Sequence, residues 1–145
     1  MRAHVLLADF AQPDSSGKIG ALGLGWSITT TPTPPHAVIV LLKVGWTETN
    51  KPHQLQLSLL TADGQHAVVA PTPFGDQPLT VEAKIEVGRP AGLPEGSAVE
   101  HNFAINLGAG IPLAAASRYE WRLTIDGKEN EEWAAPFFVR PGDPA

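Results

Sequence analysis

Arg118-Tyr119-Glu120-Trp121-Arg122-Leu123-Thr124-Ile125-Asp126 alternates apolar and polar residues without a break. Side chains on an extended strand point to opposite faces in turn, so this stretch has one face for a core and one for water. The same period recurs in Leu79 to Val87, where Leu79, Val81, Ala83, Ile85 and Val87 alternate with Thr80, Glu82, Lys84 and Glu86. It recurs after His53, with Leu55, Leu57 and Leu59 inward, and in His101 to Leu107, with Phe103, Ile105 and Leu107 on one face. No stretch shows a 3.6-residue period; the best helical candidate is one turn near Leu113 to Ser117.

Outward from these four strands, others follow. Val5 to Ala8 opens a first strand. Gly17 to Ile28 carries Leu22, Leu24, Trp26 and Ile28 on one face, with Gly23 and Gly25 on the other. Glycine inside a strand marks a bulge or a close backbone approach. Ala37 to Glu48 holds Val38, Val40, Leu42, Val44 and Trp46 on one face, and Ala37, Ile39 and Leu41 on the other. A strand apolar on both sides is either central and covered or part of a subunit interface. Glu132 to Arg140 is the last strand. Asp63-Gly64 and Asp126-Gly127 read as tight turns, because both residue types tolerate positive φ. Thr31 to Pro35 reads as a stiff crossover, since proline fixes φ and lacks an amide donor. Pro71 to Pro78 and Gly88 to Gly96 read as loops, and residues 141–145 as a fraying tail. The fold expected is all-β: an antiparallel β-sandwich of about 8–9 strands, immunoglobulin-like or jelly-roll-like, over residues 1–140 as a single domain. Tyr119, entering a late strand after Ile111-Pro112-Leu113, is placed to bond an upstream backbone group across a corner.

Composition agrees and narrows the function. The 145 residues are 43% apolar and 17% charged, with 14 glycines and 14 prolines. That content means many turns, below the range of low-complexity chains. Ten basic residues against 15 acidic ones give a net charge of −5, and the basic residues are scattered. Neither nucleic acid nor an anionic membrane is an expected partner. The apolar run Val5 to Ala8 is too short for a signal peptide, so the reading is cytoplasmic. With no cysteine, thiolate catalysis, disulfides and Cys-ligated zinc are excluded.

Chemistry-bearing patterns are sparse. Asp14-Ser15-Ser16-Gly17-Lys18 has a glycine-lysine pair, but lacks the glycine spacing and the following helix of a phosphate loop; it reads as a polar hairpin turn. The five histidines show no metal-ligand spacing. His36, His53 and His101 lie near strand starts, where they read as solvated or locally bonded imidazoles rather than ligands on a strand rim. No calcium loop or nucleophile elbow occurs. Trp26, Trp46 and Trp121 are in phase with core residues, whereas Trp133 follows acidic residues and is the candidate for an exposed stacking surface.

The segments Leu6-Leu7-Ala8-Asp9-Phe10-Ala11-Gln12, Gly17-Lys18 and Gly23-Leu24-Gly25-Trp26 resemble a family of bacterial, actinobacterial-type proteins of unknown function. Pro35-His36-Ala37, Asp63-Gly64 and Tyr119-Glu120-Trp121 are similar to it too. The resemblance implies a single β domain and transfers no catalytic residue.

The functional expectation is a non-catalytic binding or assembly module, self-associating through Ile39 and Leu41 or engaging a protein partner. Burying those residues against a second subunit would cover a six-residue β-aggregation window. One alternative is a small-ligand or carbohydrate-binding sandwich using Trp133. Another is a metal-dependent enzyme built on His36, His53 and His101. No cofactor, metal ligand or catalytic residue is assigned.

Overall fold

Burial along β11 (Ser117–Ile125) follows the period read from its sequence: Tyr119, Trp121, Leu123 and Ile125 are buried, and the intervening residues are not. The computed structural model describes residues 1–72 and 75–142, with side chains outside residues 68–78. β11 pairs antiparallel with β12 (Ala134–Val139) and with β6 (Pro52–Thr61). Trp121 lies opposite Ala135 on one side and Leu59 on the other. β9 (Thr80–Glu86) extends the sheet beyond β6, and β4 (Ile28–Thr29) pairs parallel with β12. The order is β4-β12-β11-β6-β9.

The facing sheet is β1 (Arg2–Ala8), β5 (His36–Val44) and β10 (Val99–Leu107), in the order β1-β5-β10, all antiparallel. Val5, Leu7, Val38, Val40 and Leu42 from this sheet pack against Leu55, Leu57, Leu59, Trp121 and Leu123 from the other. Trp121 is fully enclosed between them. Burial of each large apolar side chain contributes roughly 1.5–3 kcal/mol, so this layer is the main source of stability. The fold is therefore a β-sandwich, as expected. Its strand order is the immunoglobulin-like one: the first strands divide between the sheets, and β4 crosses to pair with the last strand.

Two short hairpins lie outside the sheets. They are β2 (Phe10–Pro13) with β3 (Ile19–Leu22), and β7 (Val68–Thr72) with β8 (Gly75–Pro78). The second replaces most of the loop expected over Pro71 to Pro78; residues 73 and 74 lie outside the described residues, as do residues 143–145 of the tail expected over 141–145. Among the described residues, no helix is long and apolar enough to cross a membrane.

Three expectations are corrected. The strand expected over Gly17 to Ile28 is broken, because Gly23 and Gly25 take φ of 65° and 92° and turn the chain between β3 and β4. Leu22, Leu24 and Ile28 are consequently exposed. The strand expected over Ala37 to Glu48 stops at Val44, and Trp46–Glu48 forms a 3-10 turn. The Glu48 carboxylate accepts the Gly45 amide at 3.0 Å and closes that turn. Trp46 is thereby taken out of phase with the core; its ring lies 3.9 Å beneath the Arg89 guanidinium. The helical turn at Leu113 to Ser117 does not form, because other partners take the backbone groups it needs. Thr31 Oγ1 accepts from the Leu113 amide at 3.1 Å and donates to the Leu113 carbonyl at 2.6 Å.

The corner expected at Tyr119 is present: its hydroxyl accepts the Ala114 amide at 2.9 Å. Ala116, at φ 57°, makes the bend that allows it. Tyr119→Phe keeps the ring packing and removes this acceptor. It should cost about 1 kcal/mol, read as a lower urea midpoint with an unchanged slope.

Candidate functional site

The stretch Asp14 to Lys18 folds as the hairpin turn its composition implies. Asp14 Oδ1 accepts from the Ser16 amide at 2.8 Å, the Ser16 hydroxyl at 2.7 Å and the Lys18 amide at 3.0 Å. These donors, the Ser16 hydroxyl foremost, hold the Asp14 carboxyl below its ordinary range. The turn joins β2 to β3 in a register that sets Phe10 opposite Leu22, Ala11 opposite Ala21, Gln12 opposite Gly20 and Pro13 opposite Ile19.

The underside of this hairpin is buried. Ala11 and Ile19 pack with Ala8 at the end of β1 and with Ala37 and Ile39 on the outer face of β5. A side-chain clip holds it there: the Ala11 amide donates to Asn106 Oδ1 at 3.2 Å, and Asn106 Nδ2 donates to the Ala11 carbonyl at 2.8 Å. Asn106 on β10 thus acts as a one-residue neighbouring strand for β2. At the far end, the Gly25 amide donates to the Leu7 carbonyl at 2.7 Å. A Cβ on Gly23 would collide with the Asp9 carboxylate, so this return path requires glycine there.

The upper face is different. Phe10 is 48% exposed, Leu22 opposite it 69%, and Leu24 in the following turn 57%. Phe10 and Leu22, with Gln12, Asp14 and Lys18, border an open groove of about 650 Å³. Exposed large apolar residues are ordinary when scattered; gathered in one place, they mark an interaction surface.

The residues singled out from the sequence fall elsewhere. Ile39 is 2% exposed and lies beneath the hairpin, and Leu41 beside it is half-buried. Of the two readings open for this two-faced strand, Ile39 follows the covered one, and its cover comes from the same chain. Trp133 is buried at 8% exposure within the main core, contrary to the exposure expected of it. The Leu123 amide bonds the Trp133 carbonyl at 2.8 Å and draws the residue inward, despite its acidic neighbours.

The three histidines do not converge. His36 lies opposite Leu107 and His101 opposite Leu42, six positions apart along β5, or roughly 20 Å. His53 belongs to the other sheet. Among the described residues, no three His, Cys, Asp or Glu side chains group as a metal site. His53 is a structural clasp: Nδ1 lies 2.7 Å from Asp126 Oδ2, and Nε2 lies 2.7 Å from the Glu48 carbonyl. Both partners are acceptors, a setting that favours the protonated ring, in which both nitrogens donate. The Asp126 carboxylate, and then the Glu48 carbonyl, raise its pKa above 6.5. His36 is the reverse case. Burial lowers its pKa below 6.5, against a weaker opposing effect from the Pro34 carbonyl 3.2 Å from Nδ1. Its ring meets Trp26 edge-on at 5.4 Å.

A family of unknown function, DUF6941, matches residues 3–140. The chain belongs to that family. Comparison with curated proteins and comparison with solved structures each find no match. For this DUF6941 member, the segments Leu6 to Gln12, Gly17-Lys18 and Gly23 to Trp26 belong to one piece of structure: the end of β1, the hairpin and its return. Phe10, Leu22, Leu24 and Asn106 were not legible as site residues. The available signal was the pair Gly23 and Gly25, which breaks the strand period where the chain leaves the sandwich.

Two outcomes are expected. Asn106→Ala leaves the backbone of Ala11 without partners and should cost roughly 1–3 kcal/mol. Amide exchange should quicken over residues 10–22 while β11 stays protected. For pH, the raised pKa of His53 means its contribution is complete below about 6.5 and is lost as pH rises through the folded value. The depressed pKa of His36 works oppositely: its contribution is complete above about 6.5 and is lost as pH falls toward the folded value. Urea midpoints across about pH 5 to 9 should therefore fall less on the alkaline side in His53→Gln than in the parent.

Proposed function

We propose that this chain is a non-catalytic binding or assembly module of the bacterial cytoplasm, of actinobacterial type, that self-associates through its β2–β3 hairpin. The observation that carries this is the exposed strip of Phe10, Leu22 and Leu24 on a hairpin whose underside is pinned to the sandwich. A rigidly held apolar surface binds without the entropic cost of ordering it first. The hairpin takes over the interface role expected of Ile39 and Leu41. The Leu6–Gln12, Gly17-Lys18 and Gly23–Trp26 pattern would then describe this surface across the family.

Sedimentation equilibrium over about 1–200 μM is the test. The weight-average mass should rise from 15.4 kDa toward twice that value. Phe10→Ser with Leu22→Ser should restore the monomer without lowering the melting temperature at concentrations where the parent is also monomeric, since both side chains are exposed. A mass fixed at the monomer throughout overturns the self-association.

A second reading has one observation in its favour. The groove beside Phe10 has the volume of small-ligand sites, about 300–1,000 Å³. Phe10, rather than Trp133, would supply the aromatic face for a sugar ring. Absence of any binder in a glycan and metabolite panel removes that reading.

A further inference from the structure

β3 has a free edge whose hydrogen-bonding groups can be assigned. The Ala11 amide is committed to Asn106, so Ala11 and Ala21 form a non-hydrogen-bonded pair of the ladder. The Asp14 amide donates to the Lys18 carbonyl at 2.8 Å, which fixes the same alternation from the other end. Pro13, with no amide hydrogen, occupies another non-hydrogen-bonded position, opposite Ile19. Gly20 and Leu22 therefore bond across the hairpin, while Ile19 and Ala21 direct their amides and carbonyls outward. Among the described residues, no backbone group outside the hairpin bonds them.

The edges of the two facing sheets are blunted. β9 carries exposed Glu82, Lys84 and Glu86. β12 is capped in part by β4 and carries Pro136, which has no amide to offer. β10 holds Glu100 and uses Asn106 to carry β2, and β1 has exposed Arg2 and His4. Ile19-Gly20-Ala21-Leu22 has no charge and no proline. Charges and prolines are how edges are kept from pairing; their lack here leaves a pairing template.

We infer that β3 pairs antiparallel with β3 of a second copy, about a two-fold axis at Gly20. This rests on the self-association proposed above and names its geometry. Ile19 then faces Ala21 of the other copy and Ala21 faces its Ile19, so four backbone hydrogen bonds form with every outward group of the two residues used. The two hairpins become one four-stranded sheet, and its upper face joins the Phe10 and Leu22 pairs of both copies. The ends match in charge as well. Lys18 precedes β3, and the Asp9 carboxylate packs at Gly23 just beyond it, so antiparallel pairing brings the Lys18 end of each copy to the Asp9 end of the other. An isologous contact of this kind closes at two copies.

The chain has no cysteine, so a single introduced thiol reports the contact cleanly. At the axis, Gly20 faces itself in a non-hydrogen-bonded pair, with Cα atoms about 4.5 Å apart, inside the range a disulfide spans. Gly20 tolerates a side chain, because a Cβ there meets only the Gln12 carbonyl, at 3.6 Å. Under mild oxidation at a concentration where the parent dimerises, Gly20→Cys should crosslink about tenfold faster than Ser15→Cys at the hairpin tip. Ala21→Pro removes an outward amide that the hairpin itself does not use, and should return the protein to a monomer whose melt matches the parent's at a concentration where both are monomeric. A parent that dimerises while Gly20→Cys gains nothing over Ser15→Cys, or while Ala21→Pro still dimerises, overturns β3 pairing and leaves self-association standing. A parent that never dimerises overturns both.

Discussion

Ala37 and Ile39 point away from the sandwich core, yet neither is more than 2% exposed, because the β2–β3 hairpin lies across them. β5 is central to its sheet and apolar on both sides, so water must be kept from both. The inner side is covered by the facing sheet. On the outer side the two-stranded β2–β3 hairpin supplies the cover. Two backbone groups of Ala11 would be stranded by that burial, and Asn106 satisfies them. Covering β5 thus accounts for the position of the hairpin, the glycine return behind it, and the exposure of Phe10 and Leu22 on its far side.

The two histidines show how surroundings shift one residue type in opposite directions. His53 sits between a carboxylate and a carbonyl, which favour its protonated form. His36 sits against Trp26 and near Trp121, where burial favours its neutral form. Among the described residues, His36 Nε2 and the indole nitrogens of Trp26 and Trp121 find no hydrogen-bond partner. Apart from the Pro34 carbonyl at His36 Nδ1, that cluster is held by ring packing. The clasp at His53 does different work, tying β6 to the Asp126-Gly127 turn and to the 3-10 turn at Glu48.

Much of the fold was legible because the sandwich is built on a period of two. The strand containing Tyr119 and Trp121, and the one containing Leu55 to Leu59, could be read with their faces. The turns at Asp63-Gly64 and Asp126-Gly127 needed only the residues that accept positive φ. The failures occurred where long-range contacts overrode a local pattern. Thr31 takes the backbone of Leu113 away from a helical turn, Glu48 curls the end of an apparent strand, and Trp133 is drawn inward past three nearby acids. The site was less legible than the fold for the same reason. Ile39 was correctly seen as needing cover, but Ala11 and Asn106 are far apart in the chain, and no local pattern connects them.

That separation has a consequence during synthesis. Ala11 and its clip are 95 residues apart. A ribosome adds roughly 5–20 residues per second, so the hairpin waits about 5–20 s between its own emergence and the arrival of Asn106. The outer face of β5 is made early in that interval and has no pinned cover until its end. The nascent chain therefore passes through a stage in which Ile39 and its neighbours are open to other nascent chains. For this protein, the speed of translation through β10 sets how long that stage lasts.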